Sequence, residues 1–315
     1  YRDADNGIGR PAISFATSLI DCSGPRITDL RVESITDARA TVRFHTDETT
    51  NAVLEWGSTA GLGQSVSSSA SATDHTLVIN QIASSCSPVY IRVRATDTYG
   101  QQTIADDLGA PHRFDAATIP GLYWKDDFEA PTTTWTLQGE WQVGTPQGKG
   151  GSSGGPDPTV AYNKSRAIGH DFSGAGSFQG DYERNKTENA STPPLTGTTW
   201  RNTKLLLYKR LNVGASDDAS LWITTGGTVP IYRSAGTTIT DSDYSVMSFD
   251  VRSLVDGKPL VRLQIRQQSD GNGQYSGWNV DDVIFKDGSL PDYAACGGCT
   301  TNPSFVGAAT AADVN

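Results

Sequence analysis

The chain has 315 residues, enough for two or three domains that each bury a core, and it carries 33 glycines against a single methionine. Its formal charge of −10 argues against nucleic acid as a partner, because no basic stripe could offset phosphate repulsion. No apolar run reaches the ~18 residues a membrane helix needs, so membrane insertion is not expected. Tyr1 opens the chain with neither Met nor a signal-peptide pattern, which predicts a mature or excised piece of something longer.

Residues 1–24 read as the end of an upstream segment, with one strand at 12–15. From Pro25 the pattern becomes regular. Strands are predicted at 27–35, 40–45, 52–57, 75–79 and 89–95, each separated by turn residues. In the second of these Ala40, Val42 and Phe44 face one way, while Thr41, Arg43 and His45 face the other. Residues 89–95 alternate strictly, apolar inward and Arg92 and Arg94 outward. Strands at this spacing predict a seven-strand sandwich.

The run from Ala40 to Gly57, followed by Tyr90-Ile91-Arg92-Val93-Arg94-Ala95-Thr96-Asp97-Thr98-Tyr99-Gly100, resembles a bacterial fibronectin type III domain over residues 25–117. Phe44 stands where that family usually has Trp, and Trp56 where it commonly has Tyr; both exchanges keep aromatic bulk.

Residues 118–288 form a second unit with longer strands, predicted at 205–213, 220–225, 246–251, 260–267 and 278–285. Val261, Leu263 and Ile265 alternate with Arg262, Gln264 and Arg266. Residues 144–158 form a long Gly-rich loop, and no segment shows a helical period. Asp126-Asp127-Phe128-Glu129, Trp141-Gln142-Val143-Gly144-Thr145-Pro146, Pro156-Asp157-Pro158-Thr159, Gly169-His170-Asp171-Phe172-Ser173-Gly174 and Gly277-Trp278-Asn279-Val280-Asp281-Asp282-Val283 follow in an order that resembles the MAM-like jelly-roll modules appended to secreted bacterial metallopeptidases of the immune-inhibitor-A type. Those modules are non-catalytic, which the resemblance implies here. The fold class expected is therefore all-β, with two β-sandwiches in series. Residues 289–315 read as a linker and the start of a further β domain, whose first strand would lie at 303–308.

The four cysteines lie as Cys22 with Cys86 around the first unit, and Cys296 with Cys299 in a Cys-Gly-Gly-Cys tail. They are read as disulfides of an oxidising compartment, with the connectivity open.

Two acidic clusters sit in apolar strand-like runs, where a carboxylate is costly unless paired or metal-bound. Asp127 and Glu129 share a face of the entry strand, and Asp282 shares one with Val280 and Ile284 on the exit strand. Carboxylate oxygens at strand ends suit calcium. A structural calcium is expected on Asp127, Glu129, Asp157, Asp171, Asp218 and Asp282; the rival is that Asp281 and Asp282 cap backbone amides or pair with an arginine. Gly151-Ser152-Ser153-Gly154-Gly155-Pro156 resembles the trypsin-type serine loop, but Ser152 stands where Asp belongs, so chance explains it better. For sugar stacking, Trp200 and Tyr182 are the preferred exposed platforms, and Trp278 is expected in the core.

The function expected is a non-catalytic accessory region (spacing, adhesion or substrate targeting) of a secreted or cell-surface bacterial multidomain protein, itself a hydrolase. Its partner would be an extracellular protein or glycan. The alternatives are a filament or surface-layer subunit that self-associates by exchanging terminal strands, and a carbohydrate-binding module.

Overall fold

The computed structural model describes residues 23–68, 70–234, 236–296 and 303–305. Cys22, Cys299 and the strand expected at 12–15 lie outside them. The first unit holds β1 (Ile27–Glu33), β2 (Ala40–Gly57), β3 (Gln64–Ser67), β4 (Ala72–Ile79), β5 (Pro88–Asp97), β6 (Gln102–Ala105) and β7 (His112–Asp115). All pairings are antiparallel, in the order β1-β2-β5-β6, with β3 and β4 on β2 and β7 on β5.

The two strands expected at 40–45 and 52–57 are one continuous strand. Its first half pairs with β1 and β4, and its second half with β3 and β5. The register with β4 jumps between His45 and Thr50, where the polar run Asp47-Glu48-Thr49 bends the strand without ending it. β2 thus passes from one layer to the other. Along β5 the alternation is complete: Val89, Ile91, Val93 and Ala95 enter the core with Phe44 and Trp56. Arg92 and Arg94 turn outward and share Glu55.

The second unit comprises β8 (Leu122–Asp126), β9 (Thr136–Leu137), β10 (Trp141–Gly144), β11 (Ala167–His170), β12 (Thr187–Ser191), β13 (Thr203–Val213), β14 (Asp218–Thr224), β15 (Thr228–Arg233), β16 (Ile239–Thr240), β17 (Ser245–Asp250), the one-turn helix α1 (Arg252–Val255), β18 (Arg262–Gln268) and β19 (Gly277–Asp287). One sheet runs β10-β11-β19-β13-β16, with β17 on β13 and β8 on β19; the other runs β15-β14-β18-β12-β9. Their inner faces meet around Trp278, Phe285, Leu205 and Leu211 on one side and Leu221, Ile223, Leu263 and Ile265 on the other. Each such side chain contributes roughly 1.5–3 kcal/mol by leaving water. The Trp278 indole N–H, buried as expected, donates to the Arg266 carbonyl at 3.1 Å. The fold is all-β, two sandwiches in series.

β19 is buried almost end to end. Leu206 faces Ile284 and Tyr208 faces Asp281, so Asp282 and Val283 of β19 together oppose Leu207 of β13. Asp282 sits in that bulge with φ of 47°, a conformation Asp adopts more readily than most residues. Asp281 and Asp282, adjacent in sequence, are both buried because both faces of β19 are covered along its length.

The two units are tied at their junction. Lys125 Nζ on β8 reaches Asp37 of the first unit and Asp282 of β19, each at 2.8 Å. The Arg39 guanidinium lies 4.5 Å from the Tyr162 ring centre and donates to the Tyr162 carbonyl at 2.6 Å. The Lys164 amide donates to the Asn80 carbonyl at 2.5 Å. Cys86 of the first unit is bonded to Cys296 of the segment that follows the second, so the disulfide joins one cysteine of each sequence pair. Residues 303–305 pair with β1 of this chain. Ser304 bridges Arg31, the Val32 amide donates to the Pro303 carbonyl, and Phe305 stacks on His112 at 4.4 Å.

Candidate functional site

The six acids expected to share one calcium sit in separate partnerships. Asp127 pairs with Lys164 at 2.5 Å, and Glu129 accepts from the amides of Ser165 and Arg166 and from the Ser165 hydroxyl. Asp218 holds the Arg233 guanidinium through both oxygens. Asp171 accepts the Ala175 and Gly180 amides, each at 2.6 Å. Asp282 takes Lys125 at 2.8 Å and the Asn163 side-chain amide at 3.1 Å. Strand pattern located the buried acids but not the donors that other strands bring to them.

Asp282 is the most deeply placed. Burial works against its charge and raises its pKa, while Lys125 opposes that rise. Lys125 is itself raised: burial lowers it, but Asp282 and Asp37 outweigh burial and keep it protonated. Burial and the neighbouring Asp282 push Asp281 well above the carboxylate range. Asp157 differs. Its Oδ1 takes the Asn279 side-chain amide at 2.7 Å, its Oδ2 has no donor, and burial pushes its pKa up to about 8, with Asp181 and Asp171 adding repulsion.

Trp200 and Tyr182, expected as exposed platforms, are 5% and 1% exposed. Trp200 stacks with Tyr123 and packs on Phe285, and the Tyr182 hydroxyl donates to Asp217 at 2.5 Å. Loop residues fold over the sandwich edge here, so neither ring offers a free face. The aromatic turned away from the core is Trp222 on β14, half-buried, on the opposite face from Leu221 and Ile223. Arg266 lies 4.7 Å over its ring and bonds Gln264 and Asn189; Asn189 in turn donates to Gln138. Trp222 thus anchors a row of amides and a guanidinium across β14, β18 and β12. Its alternation with Leu221 was the signal in the sequence.

In the Gly-rich loop Ser152, not Ser153, contacts a carboxylate, placing its hydroxyl and amide on Asp181. The four histidines are engaged elsewhere: His45 with Asp74, His75 with Thr46 and Thr50, His112 with Phe305, and His170 with Glu188. His170 belongs to a cluster the sequence does not reveal. Among the described residues, Glu140, His170 and Glu188 are the one group of three metal-ligand side chains whose ligand atoms all lie within 4.8 Å of one another.

No protein-family model matches the chain, and no curated protein matches it. Among solved structures it is similar to the K1 cleaved adhesin domain of Lys-gingipain from Porphyromonas gingivalis, at 16% identity and a TM-score of 0.37, over 52% of this chain and 96% of that one. It is also similar to a carbohydrate-binding module of the β-sandwich superfamily, at 13% identity and a TM-score of 0.37, over 84% and 99%. A cyclase from Fischerella sp. matches at 14% identity and a TM-score of 0.29, over 51% and 92%. Likeness at this level carries no inference about what this chain does.

Proposed function

We propose that the chain is a non-catalytic accessory region of a secreted or cell-surface bacterial multidomain protein, a hydrolase, in which residues 25–117 and 118–288 act as one body that spaces or presents a neighbouring part. The observation that carries this reading is the junction. The Asp37–Lys125–Asp282 bridge and the Arg39–Tyr162 contact cross it, and the Cys86–Cys296 bond ties the segment leaving the second unit back to the first. Together these contacts, one covalent and the rest ionic or hydrogen-bonded, restrict relative motion of the two units. The disulfide also supports an oxidising, extracellular setting. A structural calcium stays in this proposal through Asp157, whose buried Oδ2 lacks a donor and which stands near Asp171 and Asp181. The filament alternative gains less support, because residues 303–305 already pair with β1 of their own chain. Backbone ¹⁵N relaxation tests the main reading. One shared correlation time for both sandwiches is expected, with separate times after Cys86→Ser combined with Arg39→Ala. Independent tumbling in the unaltered chain would overturn it.

A second reading, glycan binding, is favoured by the Trp222 face, where an aromatic ring, Arg266 and three amides lie together on one sheet surface. It predicts affinity for oligosaccharides in a glycan panel that Trp222→Ala abolishes. Equal binding by that variant would move the site elsewhere.

A further inference from the structure

We propose that Glu140 and His170 form a binding site for one divalent transition ion of the zinc class, with Glu188 orienting the imidazole. The site lies where the two sheets of the second unit come together. Glu140 ends the turn between β9 and β10, His170 closes β11, and Glu188 lies on β12 of the opposite sheet.

The hydrogen bonding assigns the roles. His170 Nε2 is 2.9 Å from Glu188 Oε2, and the same oxygen accepts the Glu140 amide at 2.9 Å. A carboxylate on one ring nitrogen holds the proton there and leaves the other nitrogen as a lone-pair donor, the arrangement that usually backs a metal-bound histidine. That other nitrogen, Nδ1, has no hydrogen-bond partner, although His170 is only 1% exposed. Facing it at 3.7 Å is Glu140 Oε2, equally buried and equally without a donor. Two buried acceptors aimed at each other leave a gap that a cation satisfies and a hydrogen bond at that distance does not.

Backbone geometry supports the cradle. Gly139 and Gly176 both adopt positive φ, and a Cβ on either would collide with these acids: 2.0 Å from the Glu188 carboxyl carbon at Gly139, and 2.6 Å from the Glu140 and Glu183 carboxylates at Gly176. The surrounding charge is negative, since Asp171, Glu188 and Glu183 all act on Glu140. The side chains of Glu140 and Glu188 remain 15% and 12% exposed, which gives an ion and its remaining water ligands a way in. One imidazole nitrogen with carboxylate oxygen suits zinc and its neighbours better than calcium, which prefers an all-oxygen shell.

The test is calorimetric titration of the full chain with zinc chloride after chelator stripping and dialysis, with calcium chloride in parallel. One zinc per chain is expected, weakened at least about tenfold by Glu140→Gln and by His170→Gln, which keeps a donor for Glu188 but removes the imidazole lone pair. Imidazole ¹⁵N spectra of the unaltered protein give a readout independent of any variant: zinc should move the Nδ1 resonance of His170 and leave His45, His75 and His112 in place. Zinc binding unchanged in both variants, a ring shift at another histidine alone, or calcium bound at the site in preference to zinc would each overturn the proposal.

Discussion

Two buried charge clusters in the second sandwich solve the same problem in opposite ways. At the bulge of β19, Asp282 is matched by Lys125 from the adjacent strand, and Asp37 arrives from the first unit to share that ammonium. Beside β11 and β12, Glu140 and Glu188 flank His170, and two acceptors are left facing one another without a donor. The first cluster holds a lysine ammonium from the chain itself; the second holds none. The difference teaches that burial of a carboxylate says little by itself. What separates a structural acid from a binding one is whether the fold supplies its counter-charge.

The contrast is most easily broken at Lys125. Lys125→Met leaves Asp282 and Asp37 without their cation and is expected to cost on the order of 3–5 kcal/mol in urea unfolding. Lys164→Ala, at the half-exposed pair with Asp127, should cost no more than about 1 kcal/mol. Equal losses would mean that Asp282 is not held as an ion. The open cluster is sharpened by pH. Burial, with Asp171, Glu188 and Glu183, pushes Glu140 up to about 7, so the folded chain keeps a proton that the unfolded chain releases at its ordinary carboxylate pKa. Stability from that proton is present in acid and lost as pH rises through about 7, with Asp157 extending the loss to about 8. Urea midpoints should fall across this range, at no more than about 1.4 kcal/mol per pH unit for each proton, and Glu140→Gln should flatten the part near neutrality. A slope unchanged in that variant would remove Glu140 from the explanation. The smallest effect concerns calcium at Asp157: EGTA should lower the melting midpoint by about 2–4 °C, reversed by calcium and absent in Asp157→Asn. A flat response would leave Asp157 as a protonated core group.

The period-two strands were legible because one face of each is apolar; residues 89–95 and 260–267 show this directly. The continuity of β2 was not, since Asp47-Glu48-Thr49 has the composition of a turn and only pairing on both sides reveals a strand that bends. The cost of burying Asp282 was legible, but its partner was not, because Lys125 stands on a strand distant in sequence and adjacent only in the sheet. Trp200 and Tyr182 misled because residues outside strands were taken to be exposed. Glu140, His170 and Glu188 come from three separate elements in no recognisable spacing, so no linear motif could have gathered them.

The Cys86–Cys296 bond encloses a span of 210 residues, which contains the whole second sandwich. Tension entering through the chain before Cys86 and leaving beyond Cys296 therefore travels across a covalent shortcut. The second sandwich hangs beside that load path, and neither its strands nor its buried clusters are pulled while the bond is intact. A cut within the Gly-rich loop would likewise leave both pieces covalently attached. The second sandwich is thus the part of the molecule best sheltered from mechanical and proteolytic loss.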